Sequence, residues 1–211
     1  MSTQGRVVLL GVMIAVVSAM WVFAFLSKRF EKVAAGVAAL PRAEFERFTL
    51  VTLGSGGTFE NHWRRGPALA VGQAEDLVLI DAGRGVSEAL RAAAIPVEQA
   101  RLLLLTSLAA ENVLGLDDLW LTGWLRGREE ALVVHGPPGT RALVDGLTRA
   151  LAGQADALAA AWALGPGGRA VEVHELTGPT TLSWGSLTAT GGPLAGGAQP
   201  TLSWRVEAGA R

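Results

Sequence analysis

Few residues in this chain could carry out acid–base or metal chemistry. Among 211 residues there are three histidines, His62, His135 and His174, and no cysteine. Disulfides and thiolate–metal sites are therefore excluded. Asp81 follows an apolar run, and Glu111 follows another a short distance further on. A metal site would have to be built from imidazole and carboxylate groups.

Several of these candidates are better explained by structural roles. Asp81, in the sequence Asp-Ala-Gly, is expected to organise a turn by bonding backbone amides. His135 ends a predicted strand, where a structural histidine is favoured over a ligand, and His174 is expected at the surface. The segment Gly54–Gly57 lacks the lysine and the spacing of a phosphate-binding loop, so a tight turn is favoured.

Tryptophans and arginines form the candidate interaction residues. Trp63, Arg64 and Arg65 follow His62 in a predicted loop and could bind a carboxylate or a lipid phosphate, although a solvated loop is the alternative. Trp120 and Trp124 are four residues apart and share one helix face. Core packing and a docking face are both open for this pair, because tryptophan is enriched at interface hot spots.

The N-terminal region predicts a membrane anchor. The segment Val7–Leu26 has no charged residue over about 20 positions, the length needed to cross a bilayer. A signal peptide is the alternative, but its apolar core is usually shorter. We predict a tail and transmembrane helix over 1–29, a juxtamembrane helix and linker over 30–47, and one domain over 48–211.

Flanking charges bear on location. Lys28, Arg29 and Lys32 follow the apolar segment, and only Arg6 precedes it. The excess of positive charge predicts a single-pass protein of a bacterial-type inner membrane with a cytoplasmic domain, the periplasm being the alternative. A net charge of -1 shows no basic excess, so no nucleic-acid partner is expected.

Past the linker, strand patterns alternate with helix patterns and end in a β-rich stretch, which predicts an α/β fold. The continuous apolar run within Arg101–Ser107 predicts a strand buried on both faces, and one long helix is predicted from Arg141 to about Leu164. Six segments in order resemble the metallo-β-lactamase superfamily, most closely its ribonuclease Z and arylsulfatase-like branch. They are TLVTLGSGG (49–57), LVLIDAGRGV (77–86), LRAAAIPVEQARLLLLTS (90–107), VLGLDDL (113–119), LVVHGPPGTRALVDGL (132–147) and LSWRVE (202–207). The resemblance implies an αββα sandwich with a site for two zinc ions.

The zinc motif of that family is degenerate here. The resemblance places its first two histidines at Ser107 and Ala109, its aspartate at Glu111 and its last histidine at Asn112. Hydroxyl, methyl and amide groups are poor zinc ligands. We therefore expect no metal and no cofactor.

The second set of family ligands is also missing. The segment GGPLAGG, residues 191–197, has no histidine, and the chain ends at Arg211 before the remaining ligands would follow. The predicted fold is thus a truncated metallo-β-lactamase-like αββα sandwich preceded by one transmembrane helix.

These observations predict a non-catalytic accessory subunit, anchored in lipid and docked on a larger membrane complex, possibly respiratory or photosynthetic, or on a second copy of itself. The alternative is a membrane-bound hydrolase whose site is rebuilt around Asp81, Glu111 and His135.

Overall fold

A computed structural model describes residues 3–59, 61–196 and 199–209. The chain divides into two compact units, Met1–Ala39 and Leu40–Arg211. Each unit is described by itself.

The first unit is one helix, α1 (Thr3–Val37). Within it, Met13–Phe30 has a mean hydropathy of 1.5 and no buried residue, so by length and composition it could cross a membrane. A signal sequence meets the same test. The helix continues without a break past residue 29, where the sequence placed the end of the transmembrane segment.

The second unit is built on a six-stranded sheet. In spatial order its strands are β1 (Phe45–Gly54), β2 (Ala68–Ala74), β3 (Asp76–Ile80), β4 (Leu102–Leu104), β5 (Leu132–Gly136) and β6 (Val171–Glu175). Strand β2 is antiparallel to both of its neighbours, β1 and β3, and strands β3 to β6 are parallel to one another. Strands β1, β3, β4 and β5 therefore all end at the same edge of the sheet.

A smaller antiparallel sheet covers one face of this large sheet. It comprises β7 (Thr180–Trp184), β8 (Leu187–Pro193) and β9 (Leu202–Ala208), in that order. Side chains from both sheets form a shared apolar layer that includes Val78, Leu104 and Leu187. The β-rich stretch predicted at the end of the sequence comprises strand β6 of the large sheet and the three strands of this second sheet.

Five helices belong to this unit, and the core cluster on the other face of the large sheet contains residues from each of them. They are α2 (Val86–Ala92), α3 (Ala110–Val113), α4 (Leu116–Leu125), α5 (Thr140–Ala150) and α6 (Ala152–Trp162), with single 3₁₀ turns at Val97–Gln99 and Gly167–Arg169. The layers are thus helices, large sheet and small sheet, which confirms the predicted α/β sandwich.

Strand β4 shows why this order of layers forms. Its leucines alternate between the two apolar layers, with Leu103 in the helix layer and Leu102 and Leu104 in the layer between the sheets. A strand buried on both faces is expected to be continuously apolar, as this one is. The neighbouring layers do not cover all of strand β1, where Phe48 and Leu50 are exposed.

A buried arginine closes helix α4. Arg128 Nη2 donates hydrogen bonds to the carbonyl oxygens of Trp120, at 2.7 Å, and Gly168, at 3.2 Å. Its Nη1 donates to Leu119 O at 3.2 Å. Gly123 lets the guanidinium approach, because a Cβ there would collide with Nη1. Burial lowers the pKa of Arg128 to about 10, so it remains charged at neutral pH.

Removing this guanidinium should destabilise the domain. Arg128→Met keeps the apolar stem but leaves three buried carbonyl oxygens without their donor, at a cost of about 3 kcal/mol in the free energy of unfolding. Urea unfolding of the full chain measures the loss. The exposed Arg149, substituted to Met, is the matched control; equal stability of the two variants would contradict the assigned role.

Candidate active site

The carboxyl ends of the parallel strands bring the chemistry-bearing residues to one edge of the large sheet. Asp81 follows β3, and the segment from Thr106 to Asn112 follows β4. His135 is the penultimate residue of β5. Ligands of open α/β sheets bind at this edge, because the loops there are free to vary.

Asp81 is the buried hydrogen-bond acceptor of this edge. Its carboxylate accepts bonds of 2.8 Å each from Thr106 N, Thr106 Oγ1 and Asn112 Nδ2. Its backbone lies in the left-handed region, at a φ of 60°, which aspartate tolerates better than most residues. Asp81 does accept a hydrogen bond from a backbone amide, but that amide belongs to Thr106, 25 residues away. The bond therefore joins two segments and does not organise the local turn that the sequence had predicted.

Burial determines the protonation of Asp81. Desolvation raises the pKa of its carboxyl above 3.8, and the hydrogen bonds from Thr106 and Asn112 oppose that rise only in part. The folded chain therefore holds this proton more tightly than the unfolded chain does.

The degenerate ligand positions serve local structure. Ser107 pairs with Thr201 in an isolated bridge, and its Oγ accepts from Ala109 N at 3.2 Å. Ala109 precedes the first turn of α3, which contains the partly exposed Glu111. The amide of Asn112 donates hydrogen bonds to Asp81 and, at 3.0 Å, to Thr106 Oγ1.

These residues do not fit the two zinc ions that the resemblance implies. Zinc takes imidazole, thiolate or carboxylate ligands, and at least three from a protein. Within the described ranges, no group of three or more His, Cys, Asp or Glu side chains could hold a metal ion. Asn112 already donates its amide to a carboxylate. No step of a reaction is therefore assigned to zinc in this site.

His135 lies on the face of the sheet that turns toward β7–β9. Its ring stacks on His174, with centroids 4.5 Å apart and planes 17° apart, and meets the edge of Trp204 at 6.4 Å. Burial, followed by the repulsion of His174, lowers the pKa of His135 to about 4, so the ring is neutral at pH 7. No hydrogen bond joins Asp81, Glu111 and His135 within the described ranges, so the three do not form one constellation.

A compact turn carries Trp63 at the same edge. Trp63 N donates to Asn61 Oδ1 at 2.8 Å, and Arg64 N donates to Asn61 O at 3.2 Å. The Trp63 side chain is 87% exposed, and His62 meets it edge-on with centroids 4.7 Å apart. The sequence placed these residues in a loop, and the structure agrees.

Backbone hydrogen bonds join the turn to the Asp81 segment. Gly66 N donates to Arg84 O and Gly83 N donates to Pro67 O, both at 3.0 Å. A Cβ on Gly66 or Gly83 would collide with the backbone of the other segment, and one on Gly115 would collide with Gly83 O. We call these three residues the glycine seam.

The docking face suggested for Trp120 and Trp124 is not present. Both side chains are buried in the helix layer. Their Nε1 groups donate 2.8 Å hydrogen bonds to Arg169 O and Gly165 O respectively. The alternative interpretation, core packing, describes the pair, since their shared helix face turns inward.

Asp81→Asn should change the pH dependence of stability. Because the pKa of Asp81 is raised in the folded chain, the free energy of unfolding falls as pH rises from about 3.8 through that raised value. Asparagine tolerates the same φ and does not titrate, so this slope disappears in the variant. Urea unfolding between about pH 4 and about pH 7 measures it. Glu98→Gln is the control; equal slopes in wild type and Asp81→Asn would be the contrary result.

Comparisons with known proteins bear on function. No family model matches the sequence. A ribonuclease Z from Mycobacterium marinum is 32% identical over 164 residues, which cover 75% of this chain and 58% of that protein. A ribonuclease Z from Bradyrhizobium sp. is 34% identical over 106 residues, 50% of this chain and 34% of that protein. The chain thus spans 58% or less of the length of these two relatives.

Solved structures share the fold. Human tRNase Z, short form, superposes with a TM-score of 0.58 at 18% identity, over 75% of this chain and 63% of that one. A metallo-β-lactamase fold protein from Bacillus subtilis has a TM-score of 0.57 at 15% identity, over 75% and 58%. At these identities the likeness concerns the fold alone.

The relatives overturn three predictions from the sequence. A non-catalytic accessory subunit, the absence of enzymatic activity and the absence of a nucleic-acid partner were wrong, because the relatives at 32% and 34% identity are ribonucleases. A net charge near zero averages over the chain and hides local cations such as Arg64 and Arg65. The missing zinc ligands argue against zinc-dependent hydrolysis, but they do not exclude hydrolysis without zinc.

The order of the strands, the two-sheet layering and the ribonuclease Z relatives all lead to one conclusion. This chain has the metallo-β-lactamase fold and is similar in sequence to ribonuclease Z over three quarters of its length.

Proposed function

We propose that this chain is a phosphodiester hydrolase that acts on RNA. The observation that carries the proposal is the 32% identity to a ribonuclease Z over 164 residues, which cover 75% of the chain. A match of that length includes more than a single motif. It extends over most of a domain whose loops place polar side chains at the carboxyl edge of the sheet.

The residues at that edge limit the mechanism. Hydrolysis of a phosphodiester needs a group that takes a proton as water attacks phosphorus and the bond to the leaving oxygen breaks. Asp81 already accepts hydrogen bonds from Thr106 and Asn112, and the His135 ring stacks on His174 and contacts Trp204 edge-on. Glu111, partly exposed on α3, is the carboxylate left to accept that proton. The leaving oxygen then takes its proton from solvent.

Asp81 acts in this scheme as a positioning residue. It holds Thr106 and Asn112, which lie on either side of the segment that carries Ser107 and Glu111. Fixing that segment before the substrate arrives reduces the entropy lost in reaching the reactive geometry.

We further propose that α1 anchors the hydrolase in a membrane, with the domain on the cytoplasmic side. Support comes from the unburied apolar stretch Met13–Phe30 and from Lys28 and Arg29 at its end. RNA is a cytoplasmic substrate, so the side favoured by the flanking charges agrees with the proposed reaction.

Glu111→Gln should abolish most of the cleavage of RNA. The amide keeps the size of the side chain but cannot accept the proton, so we expect a fall in kcat of about 100-fold with KM little changed. The assay uses the full chain in mild detergent, single-stranded and hairpin RNA, and EDTA throughout, since the residues do not fit zinc. Glu98→Gln is the control. A wild-type chain that cleaves neither RNA would refute the proposed function, and activity only with added zinc would refute the metal-free route.

Two arginines placed in α1 should release the protein from membranes. Val16→Arg with Val17→Arg adds a cost of about 3 kcal/mol for each charge at the centre of a span. The fraction that resists alkaline carbonate extraction should fall, whereas Lys28→Arg should leave it unchanged. Intact mass places the first residue; a mature chain that lacks this helix would identify a signal peptide instead.

A further inference from the structure

A cleft of about 360 Å³ opens beside the Trp63 turn. Residues 52–55, at the end of β1, line one side, and the other side consists of the turn itself, Asn61–Arg65. Its size lies within the range of small-ligand sites, about 300–1,000 Å³. Because β1 and β3 run in the same direction, the cleft opens at the sheet edge that carries Asp81.

The chemistry of the cleft is cationic and aromatic. His62, Arg64 and Arg65 are exposed around it, and its described lining residues include no carboxylate. Within the described ranges, neither arginine forms a salt bridge. Two unpaired guanidinium groups next to one open cleft are suited to phosphate oxygens.

The indole of Trp63 is held out from the protein surface. Two hydrogen bonds to Asn61 fix the turn beneath it, so its exposure follows from a defined conformation. A single exposed tryptophan is ordinary on a protein surface, but here the ring stands next to two free arginines. An aromatic face beside phosphate-binding groups is the arrangement that single-stranded nucleic acids use, through base stacking and backbone contact.

We propose that the cleft binds one unpaired nucleotide of an RNA strand, with its base stacked on Trp63 and the flanking phosphates bound by Arg64 and Arg65. This deepens the proposed function, because it names the part of the substrate bound beside the reacting edge. The glycine seam links the turn to the Asp81 segment by backbone contact, so the nucleotide is held at a set distance from Glu111. A lipid phosphate would satisfy the same arginines but has no base to stack on the indole.

The test measures binding apart from cleavage. The full chain in mild detergent is titrated into a fluorescently labelled single-stranded oligoribonucleotide, and anisotropy gives Kd. Trp63→Ala should weaken binding roughly 5- to 150-fold, the range for one stacked base. Trp63→Phe should restore much of it. Trp162→Ala is the matched control, because Trp162 on α6 is also exposed, at 60%.

Substitution of the arginines should change how strongly the Kd for RNA depends on salt concentration. Each phosphate contact on a single strand contributes about 0.7 to the slope of log Kd against log salt. Arg64→Gln and Arg65→Gln should each reduce that slope by about this amount, and Trp63→Ala should leave it unchanged. Arg149→Gln should alter neither Kd nor slope.

The outcomes separate this proposal from the proposed function. RNA that binds with these dependences but is never cleaved supports the nucleotide site and refutes hydrolysis. Cleavage and binding unaffected by Trp63→Ala and by the arginine variants refute the nucleotide site and leave hydrolysis standing. Loss of binding to a soluble, short-chain phosphatidylglycerol in these variants, with Kd for RNA unchanged, would assign the cleft to lipid and overturn the proposal.

Discussion

The three hydrogen bonds to the Asp81 carboxylate hold the carboxyl edge of the large sheet together. They join the end of β3 to Thr106 after β4 and to Asn112 in α3. A buried carboxylate without such donors would cost several kcal/mol, so the acceptor and its donors need one another. The positions of Ser107 and Glu111 depend on this arrangement, since both lie in the segment that it fixes.

Much of the framework could be predicted from local sequence. The apolar run that ends at Leu105 predicted a strand buried on both faces, and β4 with the residues beside it is such a strand. The boundaries of the helices were harder to predict from the sequence. The sequence indicated one long helix from Arg141 to about Leu164, whereas the structure has α5 and α6 separated at Leu151, whose φ of -99° and ψ of 4° leave the helical region. Apolar periodicity continues through a bend of that kind and cannot reveal it.

For a related reason, only part of the candidate site could be predicted from the sequence. The aspartate of a turn can be recognised locally, but its partner Asn112 lies 31 residues away. The stacking of His135 on His174 depends on the register between β5 and β6, which neither strand encodes alone. Trp120 and Trp124 share a helix face whether that face turns inward or outward. The inward orientation is set by their hydrogen bonds to carbonyl groups more than 40 residues away in the sequence.

The glycine seam has a consequence for how this surface could change over time. Where three segments meet as bare backbone, no side chain can be enlarged without forcing them apart, so the spacing there is insensitive to substitution elsewhere. The side chains at the tip of the turn bear no such constraint, because they are exposed to solvent. New side chains can therefore be tried at the tip while the geometry behind it stays the same. The protein can acquire a different substrate preference there without rebuilding its reacting edge.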